Sequence, residues 1–99
     1  MVAVVARMRA AEGSVEEVKR LFCDMVEWVT ENESGTVTYT CNQSNEDPQA
    51  FMFLERYTNL AALEAHSSSD RMKELISSLA GKLEGGLDVQ RYEEIAAKL

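Results

Sequence analysis

Ninety-nine residues with a mass of 11.1 kDa are enough for one compact domain and too few for two. Seventeen acidic against ten basic residues give a net charge of −7, a surface that repels a phosphate backbone, so nucleic acid is not an expected partner. The apolar runs fall far short of the ~20 residues a spanning helix needs, so no membrane is expected either.

A monomer of this size buries only about 65% of the surface its unfolded chain exposes, which favours help from a partner subunit. Much of the acidity lies in residues 12–33, which hold seven acids and two bases, and it reads as the solvated back of a helix. Cys23 and Cys41 have no CxxC spacing and are expected to be buried, reduced thiols. The start of the chain has no basic leader or cleavage site, and a cytoplasmic location is the expectation.

Val2 to Ala10 combines β-branched residues with partial alternation and predicts a first strand. Ser14-Val-Glu-Glu17 matches a capping box and opens a long helix, whose apolar stripe is Val15, Val18, Phe22, Met25, Val26 and Val29. Residues 32–35 stop it. Thr36 to Asn42 and Phe51 to Tyr57 predict a β-hairpin around the turn at 44–48. Phe51 to Leu54 is apolar on both faces of its strand, so a second cover is needed, expected to be another copy of the chain.

Asn59 caps a short helix ending at His66, and Ser67 to Ser69 re-cap a second from about Asp70, with Met72, Leu75, Ile76 and Leu79 on its buried side. Glycines 81, 85 and 86 then precede a last strand at Leu87 to Tyr92, and residues 93–99 are expected to form a tail helix. The order β-α-β-β-α-β predicts an α+β, ferredoxin-like sandwich with one four-stranded antiparallel sheet.

His66, the sole histidine, is the first candidate for proton transfer, although a histidine at a helix C-terminus also serves the helix dipole. One histidine with Glu55 or Glu64 offers no zinc or iron spacing, so no metal is expected. Gly85-Gly86 precedes a strand instead of opening a helix, so no nucleotide cofactor is expected. Glu55 is either a buried base or an ion-paired acid at the polar end of its strand, and the ion pair is the expected state. Phe22, Tyr39, Phe53 and Met8 are groups of the kind that line apolar pockets or simply fill a core. Trp28 lies off the main stripe of its helix, at the edge of a cavity or at a dimer seam.

Gly35 followed four residues later by Tyr39, the strand FMFLERY, AALEAH at 61–66, and Ser69 with Met72 and Leu75 together resemble the antibiotic biosynthesis monooxygenase family. Glu55, Ala62, Leu63, His66 and Ser69 stand at matching positions. Tyr57 replaces the usual Trp, and Arg71-Met72 replaces His-Phe. The Asn, Trp and His of the related haem-degrading branch fall on Ala6, His66 and Ile76, so haem degradation is not implied.

The resemblance implies a homodimer joined through the sheet face as a dimeric α/β barrel. It also implies oxidation of an electron-rich phenol or hydroquinone by molecular oxygen without a cofactor. On that reading His66 is the base or orienting donor, Tyr57 holds the phenolic oxygen, and Met8, Phe22, Trp28, Tyr39, Phe53 and Glu55 contact a small aromatic or apolar ligand. The alternatives are a non-catalytic dimeric binder of small apolar ligands, an isomerase-like processor of a small carbonyl compound, and a purely structural dimer.

Overall fold

A computed structural model describes residues 1–99. The chain runs β1 (Val2–Ala10), α1 (Val15–Asn32), β2 (Thr36–Gln43), β3 (Ala50–Tyr57), α2 (Leu60–Ser67), α3 (Asp70–Ser78) and β4 (Leu83–Glu93). The strands form one antiparallel sheet in the order β2-β3-β1-β4, with β1 paired to both β3 and β4. This is the expected α+β ferredoxin-like sandwich: the two crossovers carry helix, and the central strands are the most enclosed.

Strand alternation decides the two faces. Val4, Ala6, Met8 and Ala10 of β1, with Phe51, Phe53, Glu55 and Tyr57 of β3, point toward the helices and are buried. α1 lays Val18, Phe22, Met25 and Val29 on that surface at steps of four, three and four, as a helix with one apolar stripe must. Phe22 meets Phe51 and Phe53 edge to face, at ring-centroid distances of 5.4 and 5.0 Å. Val4, Tyr57 and Leu63 form a smaller cluster under α2. Met52 and Leu54 project to the opposite, helix-free face of the sheet, where Leu54 keeps 42% of its surface exposed.

Five local expectations are corrected. Ser14 precedes α1 but its side chain caps nothing. Its amide donates to the Ala11 carbonyl at 2.9 Å, and Glu17, instead of reaching back to it, pairs with Lys82 at 3.6 Å. The last strand starts at Leu83, not Leu87. Its register slips between Glu84, opposite Arg9, and Asp88, opposite Arg7, so the two glycines form a bulge inside the strand, with Gly85 at φ +68°.

Residues 94–99 are not helical; Glu94 is drawn to Arg56, which donates from Nε and an Nη at 2.6 and 2.7 Å. Ile76 is 59% exposed instead of buried, because it lies on the edge of α3 beside the uncovered β4, whereas Met72, Leu75 and Leu79 pack on the core. Cys23 is exposed and Cys41 only partly buried. No helix is long and apolar enough to cross a membrane.

Candidate functional site

Between the sheet and the three helices lies a mostly apolar cavity of about 240 Å³. An apolar cavity of roughly 150 Å³ already holds a benzene ring. Its floor is the helix-facing side of all four strands, and α2 and α3 form its roof, with Phe22 of α1 closing one side. The open gap is between α3 and β4, where Ile76, Leu87 and Val89 are exposed.

Strand register places four side chains in one row across this floor. Tyr39 of β2 faces Glu55 of β3, Glu55 faces Val4 of β1, and Val4 faces Arg91 of β4. All four line the cavity.

His66 closes the row from above. It is 3% exposed, in the last turn of α2, with its ring 5.0 Å from that of Tyr39 and 5.5 Å from that of Tyr57. Its Nδ1 lies 2.8 and 3.0 Å from the two carboxylate oxygens of Glu33. A carboxylate there fixes the ring proton on Nδ1 and leaves Nε2 free for other chemistry. Nε2 has no protein hydrogen-bond partner and no unpaired side-chain polar atom is sealed from the surroundings, so Nε2 opens to the cavity.

Glu33 was not legible as a site residue. It is the C-cap of α1, where a negative charge opposes the helix dipole. The Thr36 hydroxyl donates to it at 2.7 Å and the imidazole Nδ1–H donates to the same carboxylate. An acid at the wrong end of a helix was the available signal. Gly35 makes the approach possible: a Cβ on it would lie 2.7 Å from the Ala62 Cβ, so only glycine lets the 33–35 loop rest against α2.

Glu55 is corrected from the expected ion pair. It is 7% exposed, has no cationic partner, and accepts a hydrogen bond from the Tyr57 hydroxyl at 2.6 Å. Burial raises its pKa above the ordinary carboxylate value, against the opposing effects of the Tyr57 hydrogen bond and His66. Burial, with the Glu55 charge second, also pushes both Tyr39 and Tyr57 far up, so each remains a hydroxyl donor. The Cys41 thiol is pushed up to about 11 by burial, which makes it a poor nucleophile.

Of the residues expected at the site, His66, Glu55, Tyr39, Phe53, Phe22 and Met8 meet around the cavity. Tyr57 does not line it: its ring is fully buried in the cluster under α2 and its hydroxyl is engaged by Glu55. Trp28 packs against the main core, away from the cavity. Arg91 was missed, although its alternation with Leu87 and Val89 places it on the apolar side of its strand. No three His, Cys, Asp or Glu side chains are grouped to hold a metal ion.

A sheet with helices on one face and an acid-backed histidine over an apolar cavity define a small α+β protein of the ferredoxin-like class. The antibiotic biosynthesis monooxygenase family model matches residues 1–78, and the chain belongs to that family. A candidate antibiotic biosynthesis monooxygenase of Caulobacter crescentus CB15 superposes with a TM-score of 0.91 at 22% identity, covering 96% of this chain and 90% of that one. A candidate from Deinococcus radiodurans gives 0.89 at 21%, covering 100% and 97%. A conserved protein of Methanosarcina mazei Go1 gives 0.84 at 27%, covering 94% and 91%. No functionally curated protein matches the chain in sequence.

Proposed function

We propose that the protein is a cofactor-independent monooxygenase that oxidises an electron-rich phenol or hydroquinone with molecular oxygen in this cavity, working as a homodimer joined through the helix-free sheet face. The observation that carries the reading is the His66–Glu33 pair, with Nε2 of the imidazole open to an apolar space large enough for a ring.

In this mechanism Nε2 takes the phenolic proton while Glu33 stabilises the imidazolium. The phenolate gives one electron to dioxygen, and the resulting phenoxyl radical and superoxide combine to form a carbon–oxygen bond. The imidazolium protonates the peroxide. Loss of the proton on the attacked ring carbon then breaks the oxygen–oxygen bond, one oxygen staying on the ring and the other leaving as water. A hydroquinone becomes a hydroxyquinone and supplies all four electrons, so no external reductant enters the balance. Tyr39 donates to the developing oxyanion, Glu55 accepts from a second substrate hydroxyl, and Phe22, Phe53 and Met8 keep water away from the radical pair. Tyr57 positions Glu55 and does not touch substrate.

The test is oxygen uptake on a panel of phenols and hydroquinones. One dioxygen should disappear per ring oxidised, without hydrogen peroxide, and His66→Ala should slow uptake by at least about 100-fold. Unchanged uptake in that variant removes His66 from the mechanism. Turnover of a carbonyl compound without oxygen would establish the isomerase alternative, and saturable binding without turnover the binder.

A further inference from the structure

The apolar cavity has a charged edge that the oxygenation chemistry does not use. Arg91 lines it from β4, with no salt bridge and no side-chain hydrogen bond to any protein group. Several basic side chains of this chain are unpaired, but Arg91 is the one among them that lines the cavity, whereas Arg9 is paired with Asp47 and Glu84, and Arg56 with Glu94. Arg71, at the start of α3, is likewise unpaired and close enough to act electrostatically on Tyr39. The rim of the cavity therefore presents free positive charge while its inner end presents His66, Glu55 and Tyr39.

The row across the floor sets the spacing. Arg91 and Glu55 sit on strands separated by β1, about 9–10 Å apart at the backbone. An aromatic ring with a hydroxyl at one end and a carboxylate at the other has a length of the same order as that backbone separation. Guanidinium binds a carboxylate through two parallel hydrogen bonds, which a hydroxyl or amide cannot reproduce.

Resting on the assignment of this cavity as the substrate site, we infer that the substrate is a hydroxy-aromatic carboxylic acid, its carboxylate held by Arg91 at the mouth and its hydroxyl directed inward to His66. The neighbouring acids narrow the choice further. Glu33 is committed to His66 and Glu55 lies at the inner end, so an anionic group is tolerated only at the Arg91 end, and the orientation is fixed.

Calorimetric titration in the absence of oxygen tests this without requiring turnover. The probes are 4-hydroxybenzoate and its neutral counterpart 4-hydroxybenzamide. The acid should bind at least about 10-fold more tightly than the amide, a ratio that should fall to about one in Arg91→Gln and stay above one in Arg91→Lys, which keeps the charge without the fork. The ratio should also shrink as salt is raised. Equal affinities in the unmodified protein, a ratio unaltered by Arg91→Gln, or no binding of either probe at millimolar concentration overturns the inference.

Its failure is separable from failure of the oxygenation reading. A ratio of 10 with no oxygen uptake on any dihydroxybenzoate leaves the carboxylate subsite standing alone. Uptake on hydroquinone with a ratio of one leaves oxygenation standing and removes the subsite.

Discussion

At the scale of single residues the site is a set of polar groups in an environment that penalises charge. Glu33 and His66 are hydrogen-bonded to one another, whereas Glu55 has only the Tyr57 hydroxyl as a direct partner. The consequence is a pH-dependent stability with a definite sign. Burial raises the Glu55 pKa in the folded state above its unfolded value of about 4.3, so within that window the folded chain holds more protons than the unfolded one. Stability therefore falls as pH rises through the window, and the full penalty applies above the folded pKa.

Glu33 adds to that rise, whereas His66 and the Tyr57 hydrogen bond limit it. Glu55→Gln keeps an oxygen to accept from Tyr57 and removes the titration. Its urea midpoint should exceed that of the unmodified protein by an amount that grows from pH 4 to pH 8. A constant difference between the two curves would mean that Glu55 ionises in the fold without cost.

At the scale of elements, the contact between the β2 entry and α2 positions the histidine pair. Gly35→Ala puts a methyl group 2.7 Å from the Ala62 Cβ, and neither backbone segment can yield without moving Glu33 or His66. Overpacking of this kind costs about 1–3 kcal/mol. Denaturant unfolding should show that loss, and oxygen uptake should fall with it. Adding Ala62→Gly should recover part of the stability, less about 1 kcal/mol for a glycine inside a helix. Recovery of none of it would place the strain elsewhere.

The same region shows what could be read in advance. The two N-caps, Asn59 and Ser69, were legible because each cap lies next to its helix, and both accept the expected backbone amide, from Ala62 and Met72. Strand alternation likewise placed Phe51 and Phe53 inward. Glu33 beside His66 was not legible, because 33 residues separate them and the pairing exists only once α2 folds over the start of β2. The tail failed for a related reason: a helical pattern at 93–99 competes with an ion pair between Glu94 and Arg56, 38 positions apart.

At the scale of the whole molecule, one side of the sheet has no helix. Thr40, Leu54, Val5 and Gln90 form a row across its centre, flanked by Met52 and Ala3. Four strands about 4.8 Å apart and about 26 Å long present a face on the order of 19 by 26 Å, about 500 Å² in projection and roughly 60% of one side of a standard protein interface. The negative charge does not oppose pairing there. The acids of residues 12–33 are on the far side of the molecule, and Arg9 and Arg56 on the sheet face are already neutralised by Asp47, Glu84 and Glu94.

Leu54 is the apolar group that a second copy would bury best, since it lies on an inner strand and is 42% exposed in the single chain. The unmodified protein should sediment at twice its 11.1 kDa chain mass. Leu54→Asp should shift it to the single-chain mass, because two like charges near a shared axis in an apolar contact have no partner to offset them. Circular dichroism should show the fold retained, since the side chain does not enter the core. A monomeric unmodified protein at tens of micromolar, or a variant that still sediments as a pair, would leave this face to solvent.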